Sequence, residues 1–177
     1  MPEPVGVVRR VAPLVGLLVL LGGCGSEVSG APVASSGPPP EQVIDPCTVL
    51  TDAQLRELGV RPESRRAVSE LDARGCGWLG DPFGFTLTTD PDTVADYRDR
   101  RDSPIFNSFR DNEVNGRPGV QFTLGGDEQC GQVLTVGSGG LVADVSDSSG
   151  LSDPVDECAE ALRIMTMIEP KLPEAGS

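Results

Sequence analysis

The sequence predicts an α+β domain: an antiparallel sheet of about five strands, about three helices covering one side of it, and two disulfides. Three observations point there. Helix-start signals occur at three places, each followed by apolar residues at helical spacing. Between them lie five short segments rich in alternating apolar residues, close enough in the chain to pair as hairpins. Four cysteines also remain once the one that follows an N-terminal leader is assigned to lipid, an even number in an exported chain.

The elements follow in order. Thr51 with Gln54 three residues on forms a capping box, Leu50 can staple onto Leu55, and Gly59 is placed to stop the helix, so a helix is expected over 52–58. The charged run after it, residues 61–75, reads as a loop. Segments 75–79 and 83–89 flank Gly80-Asp81-Pro82, which is turn chemistry for a hairpin; Phe83, Phe85 and Leu87 alternate and should share a buried face. A second helix is expected from Asp90 as N-cap and Pro91 as first helical residue. Arg98, Arg100 and Arg101 fall near its C-terminus, where cations suit the helix dipole. Residues 102–117 are polar, with Ile105, Phe106 and Phe109 as isolated apolar anchors. Strands are expected at 119–124, 132–136 and 141–145, the last two joined by Gly137-Ser138-Gly139-Gly140. That run lacks a following Lys-Ser/Thr and opens no helix, so it is a hairpin turn and not a phosphate loop. Asp153-Pro154 signals a third helix, with Val155, Cys158, Ala159, Leu162 and Met165 as its apolar stripe; Met165 and Met167 fill core space.

The N-terminus reads as an export signal. Arg9 and Arg10 precede an apolar stretch from Val11 to Leu21, far below the ~20 residues that span a bilayer. Small residues Gly22 and Gly23 then precede Cys24. This layout resembles the bacterial lipobox, which implies cleavage of residues 1–23 and lipid attachment at Cys24. Two or more acyl chains, at about 0.8 kcal/mol per buried CH₂, would fix the chain to a membrane. Residues 24–44 form a Pro/Gly/Ser-rich linker that could extend about 60 Å at 3.1 Å per residue. The folded domain is expected over 45–172, with 173–177 as a tail.

With Cys24 committed to lipid, Cys47, Cys76, Cys130 and Cys158 allow three connectivities. The pairing Cys47–Cys76 and Cys130–Cys158 is preferred because each bond would staple a helix to a nearby strand within one half of the domain. No two of these cysteines lie two to four residues apart, so a zinc site is a poor alternative.

Composition narrows function by exclusion. The formal charge is −13, and removal of residues 1–23 takes away Glu3, Arg9 and Arg10, which makes the remainder one unit more acidic. A polyanion gains nothing from such a surface, so no nucleic-acid partner is expected. Histidine is absent, which removes the commonest general base and metal ligand together. A Ser–Lys dyad would have to use Lys171, the only lysine, in a Pro-flanked tail. Paired carboxylates for glycoside cleavage would want aromatic walls, and aromatics are 4% of the chain. Asp144, Asp147 and Asp153 offer hard oxygen donors for calcium, but without an EF-hand register the stretch reads as a solvated loop. No catalytic residue, metal or cofactor is expected.

Asp45-Pro46-Cys47 running into Val49-Leu50-Thr51, then Cys76-Gly77-Trp78 and a late Cys158 in a C-terminal helix, behind a lipobox cysteine and spacer, resemble the actinobacterial lipoprotein family known only as domain of unknown function 3558. The likeness covers about residues 41–172. It implies an envelope lipoprotein with two disulfides and carries over no catalytic or binding residue. The expected role is a non-catalytic module on the extracytoplasmic face of the membrane, held by lipid on Cys24, that meets an envelope protein or small ligand. The alternative is a lipid or small-molecule carrier, which would need an enclosed apolar cavity of about 300 Å³ or more.

Overall fold

The computed structural model describes residues 44–125, 129–148 and 155–173. The leader, Cys24, the linker through residue 43, the Asp153-Pro154 helix start and residues 174–177 lie outside the described residues. The elements are α1 (Asp52–Glu57), β1 (Arg66–Glu70), β2 (Ala73–Trp78), β3 (Phe83–Asp90), α2 (Val94–Asp99), β4 (Ser108–Val114), β5 (Arg117–Leu124), β6 (Gln129–Val136), β7 (Gly139–Asp147) and α3 (Glu157–Ile168). Single 3-10 turns add Pro62–Ser64 and Glu169–Lys171.

The strands make one antiparallel sheet in the order β1-β2-β3-β7-β6-β5-β4. The α+β class and the antiparallel sheet are as expected, but the sheet has seven strands and not about five. The two extra strands are its edges. Both are largely solvent-exposed, so they lack the apolar alternation that marks a strand with a buried face. β1 lies in the charged run read as a loop, and it turns into β2 through Leu71 at φ 49°, a residue that gives no turn signal. β4 lies in the polar stretch 102–117. It reverses through Asn115-Gly116, both at positive φ, the strongest short hairpin signal in the chain.

The helices also do not all lie on one side. Along β7, Leu141, Ala143 and Val145 join a core with Leu55, Leu58, Ile164 and Met165, whereas Val142 joins a second core with Val94, Tyr97, Val120 and Phe122. Successive strand residues point to opposite faces. Hence α1 and α3 pack on one face and α2 on the other. Phe83, Phe85 and Leu87 share the α3 face as expected, with Trp78 stacked on Phe85 at 5.0 Å between centroids.

The capping box at Thr51 forms as predicted, and Gly59 ends the turn at φ 85°. α2 starts later than Asp90-Pro91. β3 runs through Asp90, whose Oδ1 accepts from the Asp92 amide at 2.8 Å, and Thr93 caps the helix in a box with Asp96. The box satisfies two amides, the Asx turn only one, and the helix takes the better cap. Asp156 caps α3 with its carboxylate on the Ala159 amide.

Between sheet and α3 lies a polar network. Asn112 and Gln132 exchange two side-chain hydrogen bonds of 2.6 and 2.9 Å, and Gln121 donates to the Cys158 carbonyl at 2.8 Å. Fully paired groups of this kind fix register without leaving a buried polar atom stranded.

Candidate functional site

The four domain cysteines pair as preferred. The Cys47 and Cys76 sulfurs stand 2.06 Å apart and tie the segment before α1 to β2; those of Cys130 and Cys158 stand 2.00 Å apart and tie β6 to α3. Both bonds lie on the α3 side of the sheet. Lys171 donates to the Val49 carbonyl and to Gln54 Oε1, at 2.6 and 2.8 Å, and so joins the C-terminal end to α1. These groups hold the fold. The candidate site lies on the opposite face.

There a cleft of about 550 Å³ opens between the β1–β2 turn, α2 and the segment that follows it. Sequence makes the cleft. On this face β2 presents Ala73, Gly75 and Gly77, so β2 contributes almost no side-chain bulk between Val68 on β1 and Thr86 and Thr88 on β3. Across the sheet the register sets Gly77, Thr86, Asp144, Gly131 and Phe122 in one row. Gly131 is required here. A Cβ on it would stand 2.8 Å from Asp144 Oδ1 and would run into the Phe122 ring. Leu71 and Ile105, two of the chain's exposed large apolar residues, sit on the rim.

The electrostatics centre on Asp144. Its Oδ1 is shielded from solvent and has no hydrogen-bond partner among the described residues. Burial pushes its carboxyl up to about 7, helped by the negative charges of Asp90 and Glu70. The neighbouring acids are better served. Asp90 Oδ2 accepts the Tyr97 hydroxyl at 3.0 Å, and Asp92 pairs with Arg100 at 2.6 Å. Burial, then the Asp90 charge, raises the Tyr97 phenol far above its ordinary value, so it stays a donor. Arg100 also lies over the Tyr97 ring, 5.0 Å from its centre, and Tyr97 stacks on Phe122. Arg98 and Arg101 do not merely face the helix end; both pair with Asp111 on β4.

Of the acids considered for calcium, Asp144 and Asp147 belong to β7 and not to a solvated loop, and Asp153 lies outside the described residues. The apolar content of the segment and its pairing with β3 outweigh its Ser- and Asp-rich look. Among the described residues no three His, Cys, Asp or Glu converge closely enough to hold a metal ion. Sequence reasoning missed Asp144 as a cleft residue. The available signal was small residues at alternate strand positions, Ala73, Gly75, Gly77 and Gly131, which mark a close approach or an opening above a sheet.

A family model described as protein of unknown function (DUF3558) matches residues 19–171. The chain belongs to that family. No curated protein and no solved structure matches it. The matched span of this DUF3558 chain takes in Cys24, both disulfides and every cleft residue named above. Among the described residues no helix is long and apolar enough to cross a membrane.

Proposed function

We propose that this DUF3558 chain is a lipid-anchored envelope lipoprotein whose domain acts as a non-catalytic binding module, taking a small ligand in the cleft over Asp144. The observation that carries the binding role is the half-buried Asp144 carboxylate, which lines a cleft of about 550 Å³ and has no ion-pair partner among the described residues. Buried polar groups in folded proteins are nearly always paired, and a carboxylate left unpaired in the wall of a pocket is a place for a ligand's donor. Support for the anchor comes from the leader: positive residues, an apolar stretch and a small pair stand in register before Cys24. The linker would then set the domain clear of the bilayer.

The carrier alternative calls for an enclosed apolar cavity of about 300 Å³ or more; the cleft has the volume but is open and acid-lined. A hydrocarbon chain suits the cleft poorly, because Glu70, Asp72, Asp90 and Asp144 line it.

Ligand-observed NMR with a library of small cationic, neutral and anionic compounds tests the binding role. Binders are expected, and their signals should return to the unbound state when Thr86→Trp fills the cleft. A library without binders, or binders indifferent to Thr86→Trp in a folded chain, would contradict it.

A further inference from the structure

We infer that the cleft takes an organic cation, its ammonium group held by Asp144 and its apolar body laid against Phe106 and Phe122. This rests on the cleft being the binding site proposed above.

The charge of the lining comes first. Glu70, Asp72, Asp90, Asp92 and Asp144 line the cleft, against Arg100, whose guanidinium is engaged by Asp92 and the Tyr97 ring. A concave surface with this balance repels anions and concentrates cations. Next, the acids differ in what they need. Asp90 already accepts two hydrogen bonds, whereas Asp144 Oδ1 accepts none among the described residues. An ionised carboxylate in that position calls for a donor with a positive charge, and the described residues supply none. Finally, the wall beside Asp144 is aromatic. Phe106 and Phe122 stand 4.9 Å apart between centroids, and the Phe122 edge and Asp144 Oδ1 both crowd the space above Gly131. A carboxylate beside an aromatic wall suits an alkyl- or arylammonium ion, whose charge meets the acid and whose body meets the wall. A bare metal ion would need several carboxylates drawn together, and among the described residues the acids do not converge so.

The groups facing Asp144 set the pH behaviour. Asp90 on β3 and Glu70 on β1 add negative charge, while Thr86, Gly131, Phe122 and Val142 are neutral; Tyr97 stays protonated and Arg100 is paired. Asp144 carries its charge above about pH 7 and is neutral well below it. Cation binding should therefore strengthen as pH rises from 6 to 8.

The test uses the mature chain, residues 24–177 carrying Cys24→Ser, with benzylammonium chloride as probe and benzyl alcohol as its neutral counterpart. Amide shifts in two-dimensional NMR should move at Thr86, Gly131 and Phe122, saturably, with benzylammonium about tenfold tighter than the alcohol at pH 8. That preference should shrink at pH 6 and vanish in Asp144→Asn, whose spectrum must stay dispersed. The pH series on the unaltered chain keeps the test decisive even where the variant misfolds. Equal affinity for amine and alcohol, a preference that does not change with pH, or no benzylammonium binding overturns the inference. If compounds of other charge still bind in the cleft, the binding module survives that result; if none does, both readings fall.

Discussion

Asp144 on β7 and Gly131 on β6 are paired across the sheet, and the missing side chain of one makes room for the carboxylate of the other. A methyl group on Gly131 would have to displace Asp144 Oδ1 or the Phe122 ring. Gly131→Ala should therefore cost about 1–3 kcal/mol, the usual cost of overpacking a filled site. Urea unfolding at pH 7 would show this as a lower midpoint; a midpoint equal to wild type would mean the cleft floor is looser than described.

Asp144 itself predicts a pH dependence of stability. Its folded-state carboxyl sits near 7 against an ordinary 3.8, so the folded chain binds more protons than the unfolded one between those values. Stability is then lost as pH rises from about 4 to about 7, and the loss is complete above 7. Asp144→Asn removes the titrating group. The variant should gain about 1–3 kcal/mol over wild type at pH 8, after allowing for water in the cleft, and little at pH 4. Denaturation curves at the two pH values test it, and a gain of the same size at both would refute the assignment.

Thr93 caps α2, the helix that walls the cleft, through a reciprocal pair with Asp96. Losing such a cap costs about 1 kcal/mol. Thr93→Ala should reduce stability by that amount and speed amide hydrogen exchange in α2 before it does so in β7. Uniform acceleration across the sheet would place the effect elsewhere.

The two disulfides close stretches of 29 and 28 residues. In the chain-entropy model each is worth about 3–4 kcal/mol. Cys130→Ser with Cys158→Ser should lower the unfolding free energy by about that much and free α3 from β6 first, read as loss of protection in α3 amides. An unchanged midpoint would show that packing of Ile164, Met165 and Ile168 alone holds the helix.

Much of the fold was legible because its signals are local. The Thr51–Gln54 box, the Phe83-Phe85-Leu87 alternation and the Gly137-Ser138 reversal each need only a few neighbouring residues, and each stands where expected. The edge strands were not legible by periodicity, since β1 and β4 have much of their surface in water. Asn115-Gly116 marked the β4–β5 turn all the same, and only the polar setting hid it. The cleft was harder still. Gly77, Thr86, Asp144 and Gly131 come from four strands, and only the register of the sheet makes them neighbours. A short sequence window cannot reveal that an aspartate in a Ser-rich stretch is shielded from solvent opposite a glycine of the next strand.

Intact-mass analysis of the protein extracted from the membrane of its producing cell bears most directly on the account as a whole. The chain should begin at Cys24, carry a diacylglyceryl group on that sulfur, and show its other four cysteines oxidised. A chain that keeps residues 1–23, or whose Cys24 thiol is unmodified, would contradict it.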